Sequence, residues 1–315
     1  MKRVVVVGEI LVEIMADTTG LGFREPQPLS GPYPSGAPAI FADQMARLGQ
    51  PVSIISAVGD DDFGRLNLDR LNHDGVDTSA VFIDPERPTG SAFVRYRENG
   101  DRDFVFNIAH SAAGRLHRTA GVERAIAQAN HVHVMGSSLS SPEFVRLNLE
   151  AIEIVRARGG TVSFDPNLRK EILAAAGMAD ATRQILARTD LFLPSGEEVS
   201  LLTGAKEPAA AISELLASGI MAIVHKRGIS GATYHDANGS CTVPAFRVTE
   251  IDPTGAGDCF GATFTALWLR GEAPESALRL AAASGALAVT RRGPMEGTAD
   301  MAALTAFIHQ ADEVA

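Results

Sequence analysis

The chain has 315 residues, 45% of them hydrophobic, enough for one large α/β domain or two small ones. Its 28 Lys and Arg against 38 Asp and Glu give a formal charge of −10, which argues against a nucleic acid or an acidic membrane surface as partner. No stretch approaches the ~20 apolar residues of a membrane span. The apolar run after Met1-Lys2-Arg3 is too short for a signal peptide, and Cys241 and Cys259 lack metal-ligand spacing and read as two reduced thiols of a cytoplasmic protein.

Residues 4–7, four valines ending in Gly8-Glu9, read as a buried parallel strand, with residues 10–15 available to continue it. Residues 17–35 are irregular, with Pro26, Pro28, Pro32 and Pro34; a loop of that length is functional or part of a separate small element. Ser35-Gly36-Ala37-Pro38 opens a helix to about Leu48, closed by Gly49. A strand follows over 52–58, and Gly59-Asp60-Asp61-Asp62-Phe63-Gly64 leads into a helix to Asn72. The three aspartates read as a solvated, helix-capping turn rather than a metal site.

Residues 91–97 and 102–107 alternate around Glu98-Asn99-Gly100-Asp101, a hairpin pattern. With residues 13–33 they predict a small antiparallel sheet inserted into a βα pattern. From Val132 strands alternate with helices: strands over 132–135, 161–164, 191–193 and 222–224, and helices over 142–158, before Arg188 and from Glu197. That is a doubly wound, mostly parallel sheet flanked by helices. Residues 232–235 and 241–244 form a late ribbon around Asn238-Gly239, and helices from Ala256, Pro274 and Ala299 finish the chain. His131 and His133 share one strand face, and with no third ligand nearby they read as structural.

The rest of the chain is organised around Ile251-Asp252-Pro253-Thr254-Gly255-Ala256-Gly257-Asp258. Pro253 cannot donate to a sheet, and Gly255 and Gly257 permit a turn that bares consecutive N–H groups. Phe260, Thr263, Phe264, Leu267 and Trp268 then recur at helical spacing. Free N–H groups and the positive end of a helix make an anion site. Asp258 fits two readings there, a capping carboxylate or a general base aimed at a nucleophile. Ligands of open parallel sheets sit beyond the carboxyl ends of the strands. Gly8-Glu9, Asp165-Pro166-Asn167-Leu168-Arg169, Ser195-Gly196-Glu197-Glu198 and Lys226 with Gly228 all fall at such ends.

Asp252-Pro253-Thr254-Gly255-Ala256-Gly257-Asp258-Cys259-Phe260 resembles the C-terminal signature of the ribokinase (PfkB) family of sugar kinases, and Gly59-Asp60-Asp61-x-Phe63-Gly64 resembles its N-terminal one. The resemblance implies one ribokinase-like α/β domain over 1–315, with a β-sheet lid from insertions at 13–34 and 90–110. It implies transfer of the γ-phosphoryl of ATP to a sugar hydroxyl with Mg²⁺ and a monovalent cation, K⁺, and a homodimer paired through the lids. Asp258 matches the family's base, and Gly255, Ala256 and Gly257 its anion hole. Glu198 matches the acid of an Asn-x-x-Glu motif that holds Mg²⁺ through water, with Ser195 in the asparagine's place. Lys226, Gly228 and Gly231 fall under the nucleotide phosphates and ribose. Ala283, Ser284 and Ala288 fall in the helix lining the adenine pocket. Asp252 and Thr254, with the backbone of 289–293, resemble the monovalent-cation loop. On the sugar side Gly36 and Ala37 resemble the Gly-Gly docking motif, Ser35 replacing the first glycine and Ile40 a frequent asparagine. Glu13 stands for the usual aspartate beside Glu9, and Asn167 and Arg169 resemble the Asp-Pro-Asn-x-Arg segment of fructokinase-like members.

The 2-keto-3-deoxygluconate kinases of this family clamp the substrate carboxylate with a Tyr-Arg pair on the lid. Here that segment reads Phe106-Asn107-Ile108-Ala109-His110-Ser111-Ala112, with an apolar residue in the arginine's place. A carboxylate without a cationic fork is poorly held, which favours a neutral ketohexose, tagatose- or fructose-like, docking near Asn107. Arg95, Arg97 or Arg102 as substitute keeps the acid sugar as the alternative. A dinucleotide oxidoreductase would carry G-x-G-x-x-G after an early strand, and a P-loop kinase G-x-x-x-x-G-K-[ST]; neither is present. A non-catalytic sugar sensor on the same fold is the remaining reading.

Overall fold

The computed structural model describes residues 1–99, 101–168 and 177–314, so Arg169 lies outside the described residues. In chain order the strands are β1 (Val4–Val7), β2 (Leu11–Ala16), β3 (Leu29–Ser35), β4 (Val52–Gly59), β5 (Val81–Asp84), β6 (Gly90–Tyr96) and β7 (Arg102–Asn107). They continue with β8 (His131–Met135), β9 (Thr161–Asp165), β10 (Leu191–Phe192), β11 (Ala222–Lys226), β12 (Ala232–Asp236) and β13 (Gly239–Val243). The helices are α1 (Ala37–Arg47), α2 (Asp62–Asp74), α3 (Ala120–Gln128), α4 (Pro142–Arg156) and α5 (Met178–Leu186), then α6 (Glu198–Thr203), α7 (Pro208–Ala217), α8 (Ala256–Arg270), α9 (Pro274–Ala288) and α10 (Met301–Val314).

The four valines of β1 are fully buried because two cores claim them: Val4 and Val6 pack toward α1, α8 and α9, and Val5 and Val7 toward α3, α4 and α5. A strand covered on both faces must be apolar at every position, which is why this one reads as a continuous run. It lies within a nine-stranded sheet of order β13-β12-β11-β10-β9-β8-β1-β4-β5. From β5 to β11 the pairings are parallel, and β12 and β13 add an antiparallel ribbon at one edge.

A second sheet of order β3-β2-β6-β7 stands beside the first. Two expectations change here. Residues 10–15 do not continue β1: the chain leaves the main sheet at Gly8, where a Cβ would meet Pro38 Cγ and Ser138 Oγ, each at 2.3 Å. Nor is the small sheet wholly antiparallel, since β2 and β6 run parallel while β3 and β7 flank them antiparallel. Both central strands depart from the carboxyl ends of parallel strands, β2 after β1 and β6 after β5, so they enter the lid in the same direction. β5 and α3 were not foreseen; α3 is short, capped by Thr119 Oγ1 accepting from Val122 N at 3.2 Å.

The aspartate turn is a cap. Asp61 accepts from Gly64 N at 2.8 Å at the start of α2 and from Thr89 N and Oγ1 at 2.8 and 2.7 Å, which ties the turn to the base of β6. Asp60 and Asp62 pair with Arg65 on the surface. His131 and His133 are structural as expected. His131 bonds Thr161 Oγ1 and Ser163 Oγ, His133 bonds the same Ser163 and stacks on Phe41 at 3.5 Å, and burial pushes His131 down to about 3, so it is neutral.

Candidate active site

α8 begins where Gly255, at φ 84°, turns the chain beneath the carbonyl of Pro294; a Cβ on Gly255 would lie 2.4 Å from that oxygen. Residue 255 is therefore glycine for two reasons, conformation and space. The turn leaves the first N–H groups of α8 without helical acceptors, and Asp258 sits in that first turn, buried.

Asp258 borders a cavity of about 30 Å³ whose wall also includes Glu9, Glu13, Gly36, Thr254 and Ser137. Its roof is the lid, through Phe104 and Phe106 of β7, stacked 5.2 Å apart. That volume holds about two waters, so the small sheet lies close over Asp258. Glu9 accepts from Ser137 Oγ at 2.9 Å and Ser138 Oγ at 2.6 Å. Glu13 accepts from Ser35 Oγ and Thr254 Oγ1, both at 3.3 Å. Gly36, at φ 112°, brings the start of α1 so close that a Cβ would lie 2.5 Å from the Glu9 carbonyl oxygen. Ala37, buried, opens α1, and Ile40 lines the cavity in place of a polar residue.

Two contacts hold the lid to the turn. Tyr96 and Arg102 are a cross-strand pair on β6 and β7. Tyr96 OH donates to Asp252 Oδ1 at 2.9 Å and Arg102 Nη1 to Thr254 Oγ1 at 2.8 Å. Asp252 also accepts from Thr254 N and Gly293 N, each at 3.0 Å, so its carboxylate is engaged by donors from the lid, the turn and the 289–293 segment together. Burial, then the Asp252 charge, pushes the Tyr96 hydroxyl well above its usual range and keeps it a donor. Arg95 and Arg97 both pair with Asp103, at 2.7 and 2.6 Å, which leaves Arg102 as the one of the three lid arginines directed at the cavity wall.

On the other side of the turn Lys226 forms an ion pair with Asp165 Oδ2. Its Nζ would stand 3.9 Å from a Cβ on Gly257, so a buried ammonium lies against the start of α8. Glu198 accepts from Ser195 N at 2.6 Å and Leu168 N at 2.7 Å; burial, then the Asp165 charge, raises its carboxyl above the ordinary range. Gly231, at φ 83°, packs under Val243, where a Cβ would lie 2.0 Å from the carbonyl oxygen, and with Gly228 (φ 54°) shapes the loop after β11. Among the described residues no group of three His, Cys, Asp or Glu is arranged to hold a metal by itself. Any Mg²⁺ held by Glu198 would need water or a ligand's oxygens to complete its shell.

Several expected residues stand apart from the cavity wall. Asn107 lies at the end of β7, donates to Ser91 Oγ at 3.3 Å and borders a separate, larger cleft near Asp61 and His110. Asn167 adopts φ 38° beside Asp165 and directs Nδ2 toward Met135 Sδ at 3.5 Å. Ala283 and Ser284 are buried between α9 and α8, Ser284 Oγ donating to the Cys259 carbonyl at 3.3 Å, so they back the wall from behind. Sequence reasoning passed over Ser137, Ser138, Tyr96 and Phe104. Asp165 was legible as a carboxylate at the carboxyl end of a buried strand, and Phe106 as part of the lid segment, but neither was given a role.

The sequence profile of the pfkB family carbohydrate kinases matches residues 1–301. The chain belongs to the pfkB family of carbohydrate kinases. A fructokinase of Vibrio alginolyticus is 31% identical to this kinase over 319 residues, covering 98% of this chain and 100% of its own. A 2-dehydro-3-deoxygluconokinase of Thermoproteus tenax is also 31% identical, over 306 residues, 94% of this chain and 91% of the relative. An E. coli protein provisionally named ribokinase II, solved with ATP and Mg²⁺, is 47% identical with a TM-score of 0.92, over 98% of this chain and 100% of that one. Among the described residues of the kinase no helix is long and apolar enough to cross a membrane.

Proposed function

We propose that this kinase transfers the γ-phosphoryl group of ATP to a hydroxyl of a neutral ketohexose, tagatose- or fructose-like. The observation that carries the reading is Asp258, buried in the first turn of α8 and bordering a cavity whose wall also bears Glu9 and Glu13. Three carboxyl groups offer acceptors to sugar hydroxyls, and they disfavour an anionic substrate at short range. Asp258 accepts or orients the proton of the attacking hydroxyl. The N–H groups of residues 255–257, the positive end of α8 and the Lys226 ammonium hold the transferring phosphoryl group. Glu198 would hold Mg²⁺ through water, and the ion would neutralise charge on the phosphate oxygens. K⁺ belongs beside Asp252 and Thr254. Gly36 and Ala37, at the start of α1, complete the sugar contacts. The Tyr96 and Arg102 contacts keep the lid closed and water out during transfer. The outer lid faces pair two chains into a homodimer.

One observation favours a second reading, an acid sugar. Arg102, from the lid, donates into the cavity wall at Thr254 and is the cation a substrate carboxylate would meet. An ADP-release assay with ATP and Mg²⁺ against D-tagatose, D-fructose and 2-keto-3-deoxygluconate separates the two. Turnover on a ketohexose alone supports the first reading, and preference for the acid overturns it. No turnover on any sugar tested together with intact ATP binding favours a sensor.

A further inference from the structure

The antiparallel ribbon is covered by helices on one face only. Ala232, Tyr234 and Val243 pack against α8 and α9, while Thr233, His235 and Ser240 face the other way, toward α7. Between that open face and α7 lies a cleft of about 600 Å³, on the face of the sheet away from α8 and α9. This size is usual for a small-molecule site. One wall is apolar, Ile212 and Leu216 of α7, and the opposite wall gathers His225, Arg227 and His235.

One arginine and two imidazoles gather there with a single carboxylate, Asp236, in a chain of charge −10. Neither Arg227 nor His235 forms an ion pair among the described residues. His225, 8% exposed, uses Nε2 on the Gly196 carbonyl at 2.8 Å and keeps Nδ1 for another partner. The nearby carboxylate, Asp236, is spent on its own turn, accepting from Asn238 N at 2.7 Å, Gly239 N at 3.0 Å and Tyr234 OH at 3.0 Å. Burial, then the neighbouring His225 and Arg227, lowers the pKa of His235, which a bound dianion would reverse. The amino end of α7, at Pro208 and Ala209, lines the same cleft and adds its dipole.

We infer that this cleft is a second ligand site, separate from the catalytic one, for a phosphate monoester with an apolar or aromatic body. Arg227 donates to the phosphate, joined by His225 and His235 in their protonated forms, and the α7 wall takes the body. The site is tested on the whole chain without turnover, so its failure is independent of any failure of the kinase reading. The ring signal of His235, assigned by loss in His235→Gln, is followed by NMR as inorganic phosphate and then AMP are added, against chloride at equal ionic strength. The expected result is a rise of about one unit in the His235 pKa at saturation, at least ~10-fold weaker binding in Arg227→Gln, and AMP tighter than phosphate. Arg227→Gln should keep the wild-type midpoint of denaturant unfolding, which certifies its fold. A His235 signal that does not move relative to chloride, or moves equally in Arg227→Gln, overturns the site; AMP binding no tighter than phosphate overturns the apolar wall's part in it.

Discussion

Two glycines bracket α8 in nearly the same backbone conformation, Gly255 at φ 84° and Gly271 at φ 78°, in opposite surroundings. A Cβ at Gly271 meets nothing within 4 Å, while one at Gly255 lies 2.4 Å from the Pro294 carbonyl oxygen. Alanine at Gly271 therefore pays only the left-handed strain, about 1 kcal/mol. Alanine at Gly255 pays that strain and must also push turn and carbonyl apart by roughly half an ångström; with overpacking the total is about 3 kcal/mol. Pro294 yields little, since the neighbouring Met295 carbonyl accepts from Arg70 Nη2 at 2.7 Å and Gly293 N is held by Asp252. The turn moves instead, and with it the N–H groups proposed to hold the phosphoryl group. A misplacement of that order costs ~10²-fold in rate. We expect Gly255→Ala to lose about 2 kcal/mol more than Gly271→Ala in denaturant unfolding and to fall ~10²-fold in kcat, with Gly271→Ala near wild type in ADP release. Equal effects of the two substitutions on both quantities would refute the reasoning.

Asp258→Asn should lower kcat by ~10²–10⁴-fold while leaving ATP affinity, measured by calorimetry, within a few-fold of wild type. Tyr96→Phe removes the hydroxyl from Asp252 and should raise KM for the sugar ~10-fold, the lid contact being a hydrogen bond to a carboxylate worth about 1.5–3 kcal/mol, with KM for ATP little changed; an unchanged sugar KM would sink the lid role. Arg102→Ala should abolish discrimination in favour of an acid sugar if that is the substrate, ~10²-fold in kcat/KM, and cost a neutral ketohexose only a few-fold. Asp43 is fully buried beside Arg70 and Thr298, and burial raises its pKa to about 7. Its folded pKa exceeds the unfolded value of about 3.9, so the folded state binds the extra proton and stability from this group falls as pH rises from about 4 to about 7. Unfolding free energy measured across that window should decline in wild type and be flatter in Asp43→Asn; parallel curves would remove Asp43 as the cause.

Much of this protein was legible in one dimension because its decisive features are local. The valine run, the glycine turn opening α8 and the Pro-Gly-Ala start of α1 each carry their conformation in adjacent residues: β1, α1 and α8 lie where the pattern predicts. Asp258 was identifiable for the same reason, a carboxylate at fixed spacing from the glycines that build its helix start. Contacts of long sequence separation leave no such trace. Tyr96 meets Asp252 across 156 residues, Arg102 meets Thr254 across 152, and Lys226 meets Asp165 across 61. Which of three lid arginines turns inward depends on a register that pairs Arg95 with Asp103 and Tyr96 with Arg102, and a shift of one residue would exchange the faces. The direction of β2 likewise followed from where the chain leaves the main sheet, a matter of space around Gly8 rather than of residue pattern. Local sequence determined the turns, the helix starts and the chemistry each could offer; only the folded chain decided which of those groups share a cavity, because proximity between distant segments is set by packing and topology.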